Sequence, residues 1–243
     1  MDIRKTLIIL PLLLVTVLCA GQCPSYRCGR TSSRIKVDGR LNERDWKSAP
    51  ESSPFLDIRG EGQPLPTMKS CMKMLHDDDF VYIAGIIEEK DIKASLKERD
   101  AVIWKDNDFE VFIDPYGDGK LYYEFETNAF GTIMDLMLEK PYRDGGSFLL
   151  NWDCRGIALA VRCDGTLNKS SDTDRGWTVE IAIPYDALTR NFDDPRDHKV
   201  WRMNFSRVEW LVAGGPEENW VWAPTGVVDI HIPEKWGYVE FVD

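Results

Sequence analysis

FEVFID at 109–114 and LYYEFETN at 121–128 alternate apolar and polar residues, and the same alternation recurs along most of the chain. Only an extended strand sends every second side chain to one face, so this period selects β-structure over helix. Further runs of the kind are TMKSCMKML at 67–75, FVYIAGIIEE at 80–89, TIMDLMLEK after Gly131, IALAVRC at 157–163, WTVEIAIP at 177–184, VWRMNFSRVEW at 200–210 and WGYVEFV near the end. Turn-forming clusters separate them: DDD at 77–79, PYGDGK at 115–120 and DGTLNKSSDTDRG at 164–176. Helical patterns are short, LNERDWKSA at 41–49 and YDALTRNF at 185–192. Many short strands with frequent turns predict an all-β fold, an antiparallel β-sandwich of jelly-roll-like or immunoglobulin-like kind with short helical segments.

The N-terminus follows a different rule. LIILPLLLVTVL at 7–18 is wholly apolar apart from Thr16 and follows Arg4 and Lys5. The run is too short to span a bilayer as a helix and has the layout of a secretory signal peptide, with cleavage expected after Gly21. A rival reading is a lipoprotein anchored through Cys19 or Cys23. Either predicts a secreted, periplasmic or cell-surface location, with no membrane insertion once the signal is removed. Residues 22–33 read as an irregular polar tether, and 34–243 as one domain without linker or repeat.

The chain carries 41 acidic against 30 basic residues, a net charge of −11. Phosphate binding needs a basic patch, so the charge balance speaks against nucleic acid and anionic membrane surfaces as partners. A neutral sugar or a cation remains compatible. Beyond residue 21 there are five cysteines, an odd number for an exported chain. Cys23 with Cys28 and Cys154 with Cys163 are the candidate pairs. No paired-cysteine or Cys/His spacing suggests zinc, and His76, His198 and His231 are scattered.

On the two strands quoted first, Glu110, Phe112 and Asp114 share one face, and Tyr122, Glu124, Glu126 and Asn128 share a face of the next strand. If these strands pair, a polar row lies beside Glu110. Carboxylates facing an apolar core would be costly to desolvate, so this face is either solvated or the floor of a polar site. Trp104 precedes Glu110 by six residues, and a second aromatic group, ENWVWAP at 218–224, follows the long strand. Indole rings pack on the C–H faces of sugars, while carboxylates and amides bond their hydroxyls. Trp46 and Trp236 read as packing residues. Arg207 and Glu209 share a face and are expected to form an ion pair.

IKVDGRLNERDW at 35–46, DNDFEVFIDP at 106–115, YYEFETNAFGT at 122–132, DRGWTVEIAIP at 174–184, NFSRVEW at 204–210 and PEKWGYVEF at 233–241 run in order along the chain. Taken together they resemble the family 9 carbohydrate-binding modules, in the stand-alone secreted form. The resemblance covers roughly residues 34–243. It implies non-catalytic binding of carbohydrate, at sugar-chain ends or on small oligosaccharides, clamped between two tryptophans and supporting polysaccharide capture or breakdown. Carried over by motif, the walls are Trp104 and Trp222, and the polar rim is Glu110, Asn128 and Asn219. Glu126 stands where the pattern leads one to expect an arginine. The resemblance also implies structural calcium, for which the turn PYGDGK and the acids at 77–79 are candidates; there is no loop of EF-hand type. No other cofactor is implied.

Two alternatives follow from the residues themselves. A glycoside hydrolase acting on O-glycosyl bonds would need two carboxylates flanking one bond, which Glu110 with Asp108, Glu124 or Glu126 could supply. A haem site would need axial ligands such as His76 with Met72 or Met74.

Overall fold

The computed structural model describes residues 23–149, 152–211 and 215–243. The expected signal peptide, with Cys19, lies outside the described residues. The strands are β1 (Ser25–Arg30), β2 (Leu56–Asp57), β3 (Ser70–His76), β4 (Phe80–Glu88), β5 (Asp108–Asp114), β6 (Tyr122–Asn128), β7 (Ile133–Leu138), β8 (Ala158–Asp164), β9 (Gly176–Pro184), β10 (Val200–Glu209), β11 (Glu218–Val221) and β12 (Gly237–Val242). One short helix, α1 (Arg44–Ser48), and several 3-10 turns complete them, so the all-β expectation holds.

The strands form one curled sheet in the order β7-β6-β5-β10-β12-β1-β3-β4-β9-β8, with β11 on β10 and β2 on β11. Its two halves fold over each other as a sandwich. Phe109 of β5 meets β4 at Gly85, where a Cβ would stand 3.0 Å from the Phe109 ring and 2.9 Å from Val179 of β9. A larger residue at 85 would therefore force the layers apart. Between the layers lie Ile83, Val111, Phe125, Trp177, Val179, Trp201 and Phe205.

The pairing is antiparallel except at β1, which runs parallel to both β12 and β3 and joins the two halves. The stretch expected to be an irregular tether therefore contains a central strand. Tyr26 and Cys28 point into the core, and the Tyr26 hydroxyl bonds the Pro50 carbonyl at 2.7 Å.

Two outer faces are also covered. Trp46 of α1 packs with Ile35, Leu75, Tyr82 and Ala182 over β3, β4 and β9. Its indole N–H donates to Glu180 at 2.7 Å, while the other Glu180 oxygen accepts the backbone N–H groups of Asp38, Gly39 and Arg40. On the other half, Trp236 packs with Phe112, Tyr122 and Leu138. Both tryptophans are packing residues, as expected.

The expected disulfides are not made, and all five described cysteines are free. Cys28 sits within β1, and five residues of extended chain from Cys23 span roughly 16 Å, beyond disulfide reach. Cys154 and Cys163 were expected across a hairpin, but β8 runs between them as a single strand paired to β9.

Candidate functional site

The cavity of interest opens on the outer face of β5, β6, β7 and β10, beside the Trp236 cluster, and encloses about 690 Å³. That is ample for one or two sugar rings within the usual range of ligand sites. Strand register builds its floor. Ser206, Glu110, Glu126 and Met134 are successive cross-strand neighbours in one row, and Asn204, Phe112, Glu124 and Leu136 form the next. The polar row predicted beside Glu110 exists, with Glu110 and Glu126 directly opposite each other.

This row is not a solvated surface. Glu110, Glu124 and Glu126 are at most 5% exposed and Asp108 is fully buried. Burial pushes all four carboxyls above the usual range, reinforced by charge from Glu126 on Glu110, Glu110 on Glu124, Glu124 on Glu126, and Glu110 on Asp108. Each of three is oriented by one donor. The Ser206 hydroxyl donates to Glu110, the Trp104 backbone N–H to Glu126 at 3.0 Å, and the Val208 N–H to Asp108 at 2.8 Å. One oxygen from each of Asp108, Glu110 and Glu126 lies within 4.8 Å of the others. No lysine or arginine is among the described residues lining the cavity.

Aromatic side chains stand at its edge. Trp104, 39% exposed, lies on the 3-10 turn Ile103–Lys105, which buried Ile103 anchors. Its carbonyl accepts the Trp210 indole N–H at 3.0 Å. Tyr142 and Phe148 are exposed there too, with half-buried Trp152 packed on Tyr123. His231 contributes a ring whose Nδ1 lies 3.0 Å from the Tyr122 hydroxyl, and burial lowers its pKa to about 4.

Of the six residues expected at the site, Trp104, Glu110, Glu126 and Asn219 line the cavity. Trp222 does not. It is 3% exposed, and its ring packs edge-on against Phe205 and over Gly237, where any Cβ would collide with it. Trp220 and Trp222 both turn inward because β11 pairs with β10 and β2, which buries Val221 as well. Asn128 is also displaced from the expected rim. Its amide N–H groups reach Leu96 O and Asp106, and its carbonyl accepts from Phe130 and Thr132. Asn128 thus staples the loop that carries Trp104 instead of facing the cavity.

Sequence reasoning passed over Tyr142, Phe148, Trp152 and His231. The available signal was PYRDGGSF, a polar turn carrying two aromatics after a strand.

At the two candidate calcium turns the protein itself engages the carboxylates of Asp77, Asp78, Asp114 and Asp118. In PYGDGK the Asp114 carboxylate is occupied by the backbone N–H groups of Tyr116, Gly117 and Gly119, and Asp118 pairs with Arg190. At 77–79, Asp77 accepts from Asp79, Phe80 and Tyr82, and Asp78 pairs with Arg30. The candidate haem ligands are engaged as well. His76 bonds Val242 O at 3.0 Å, while Met72 and Met74 are core residues.

On the opposite side of the same strands, Arg207 is buried between Glu209 and Glu89 and lies 5.1 Å from the Trp220 ring. The expected Arg207–Glu209 pair is formed.

A family model described as carbohydrate-binding family 9 matches residues 66–241. Among solved structures, a candidate carbohydrate-binding protein from Bacteroides uniformis superposes with a TM-score of 0.66 at 16% identity, covering 91% of this chain and 100% of that one. A family 9 carbohydrate-binding module from Caldicellulosiruptor kristjanssonii in complex with cellotriose gives 0.60 at 12% identity, covering 89% and 93%. The same kind of module from that organism in complex with glucose gives 0.56 at 13%, covering 89% and 95%. At these identities the likeness is one of fold. No curated protein matches the chain.

Proposed function

The chain belongs to carbohydrate-binding family 9, and on that footing we propose that it binds carbohydrate, without catalysis, in the acid-floored cavity beside Trp104. The observation that carries the reading is the join of an exposed indole to a buried row of hydrogen-bond acceptors, through the Trp104 N–H to Glu126 bond. A sugar ring stacks its C–H face on Trp104 and presents its hydroxyls as donors to Glu110 and Glu126. Tyr142, Phe148 and Trp152 supply the second wall, in place of Trp222. Support comes also from the family members solved with cellotriose and glucose. The apolar N-terminal run supports export, so that the cavity meets its ligand in the periplasm, at the cell surface or in the medium.

Hydrolysis is the less favoured reading. Glycosidases hold their two carboxyl groups about 5–5.5 Å or more apart, with the bond between them. Here Glu110 and Glu126 stand side by side as cross-strand neighbours on one floor instead of facing each other across a bond, and Asp108 is sealed from the cavity. Retardation of the protein in native gels containing soluble glucans, with product analysis of the same mixtures, tests both readings. Retardation without released sugar is the expected result. Released sugar that disappears in Glu110→Gln would replace the binding reading with catalysis.

A further inference from the structure

His231 lines the cavity, yet the contacts assigned to a sugar ring on Trp104 leave it without a task. Its Nδ1 lies 3.0 Å from the Tyr122 hydroxyl, and that hydroxyl, on a fully buried side chain, meets no other partner among the described residues. A buried O–H without an acceptor is costly, so Tyr122 donates and Nδ1 accepts. Burial keeps the imidazole neutral, and a neutral imidazole that accepts at Nδ1 carries its proton on Nε2. Asp229 takes the backbone N–H of His231, not the ring. Among the described residues Nε2 meets no protein acceptor, and it is not sealed from solvent. The Phe112 and Tyr142 rings stand edge-to-face with the imidazole and hold its plane. His231 therefore gives the cavity wall one oriented, uncommitted donor.

Its place decides what that donor can reach. Tyr122, Glu124 and Glu126 follow one another on one face of β6. The Trp104 N–H bonds Glu126 at one end of this row, and His231 stands at the tip of Tyr122 at the other. Four residues of strand set the two ends about 13 Å apart, further than a single sugar ring spans. Between them the floor offers acceptors, and no lysine or arginine is among the described residues lining the cavity. The Ser206 hydroxyl is committed to Glu110 and the Asn219 amide to Glu217. We propose that the His231 Nε2–H donates to an oxygen of a second sugar ring, so that His231 selects ligands of two or more rings for this cavity. The inference rests on the carbohydrate reading: the first ring stacks on Trp104, and the second reaches His231 along the floor of β6.

Calorimetric titration with glucose and cellobiose, and with xylose and xylobiose, compares the wild type with His231→Asn and His231→Gln. Asparagine keeps an acceptor for the Tyr122 hydroxyl but lacks the Nε2 donor. Glutamine puts an amide N–H where Nε2 stands and gives up the bond to Tyr122. In the wild type, a disaccharide should bind about tenfold tighter than its matching monosaccharide, the worth of one well-placed hydrogen bond. His231→Asn should lose most of that advantage and His231→Gln should keep it. Melting temperatures should rank the variants the other way, with His231→Gln the less stable, so a purely structural role does not produce this pattern. The wild type alone gives a second reading: the imidazole nitrogen signals of His231 should show the proton on Nε2, and cellobiose should move them more than glucose does. A disaccharide that binds no tighter than its monosaccharide, a His231→Asn variant that weakens both alike, or a His231 protonated on Nδ1 overturns the proposal and leaves the Trp104 site standing. Failure of all four sugars to bind the wild type defeats the carbohydrate reading itself, and this inference falls with it.

Discussion

Glu110 of β5 and Glu126 of β6 are direct cross-strand partners, and both side chains are buried. Like charges so placed repel, and burial adds to the cost of ionising them. Their carboxyls titrate above the usual range in the folded chain, so the stability they contribute is complete below about pH 4.3, the unfolded value, and is lost as pH rises through the folded values. The protein should therefore lose stability as pH rises from about 4.3 to about 8. Glu126→Gln should lose less of it, by on the order of 1 kcal/mol at pH 8, because an amide carries no charge and still accepts the Trp104 N–H. Urea unfolding at pH 5 and 8 measures the difference; equal losses for the two proteins would contradict it.

Asn128→Ala should loosen the loop that presents Trp104. The side chain makes four hydrogen bonds, two of them to Leu96 O and Asp106, and their loss leaves buried partners unmet. A loss of about 2–3 kcal/mol is expected, with faster amide exchange over residues 95–106. Unchanged exchange in that loop would return Asn128 to the ligand rim.

Arg207 is fully buried and ties Glu209 and Glu89 together, with its Nε left without a partner. Removing one member of a buried ion pair strands the other, so Arg207→Met should destabilise the fold by about 3–5 kcal/mol. Glu209, already raised to about 7 by burial against the pull of Arg207, then has every reason to stay protonated. The double variant with Glu209→Gln should recover part of the loss. Chemical denaturation of the cycle reads the coupling.

His231 gives a pH dependence of opposite sign. Burial lowers its pKa to about 4 from 6.5, with Asp229 working the other way, and the Phe112, Tyr122 and Tyr142 rings surround it. Its neutral form is the stable one, so its contribution is complete above pH 6.5 and is lost as pH falls through 4, to a limit of about 3 kcal/mol. His231→Asn keeps an acceptor for the Tyr122 hydroxyl but does not titrate. The stability difference between the two proteins should shrink or reverse from pH 7 to pH 4; a constant difference would show that His231 is not buried in solution.

Much of this architecture was legible. Alternation located most of the strands, and the face argument placed Glu110 beside a polar row, since side-chain period is a property of the extended backbone itself. What escaped was decided by pairing partners. SYRCGR at 25–30 is too short and too polar to announce a central strand, and its parallel pairing joins segments far apart in the chain. Trp222 could face either way at a strand end, and only the docking of β11 on β10 turned it inward. Asn128 has a polar side chain suited to a ligand, yet the turn after β6 needed all of its hydrogen-bonding capacity. The second wall lay in loop residues 142, 148 and 152, where no periodicity operates.

The account's central claim is that carbohydrate binds over Trp104 and not over Trp222. Calorimetric titration of the purified protein with cello-oligosaccharides and glucose tests it most directly, run beside Trp104→Ala and Trp222→Phe. Affinity in the micromolar to millimolar range, abolished in Trp104→Ala and kept in Trp222→Phe wherever that variant remains folded, is the predicted result. Binding that survives loss of Trp104, or that is lost in a folded Trp222→Phe, would contradict the cavity as the binding site.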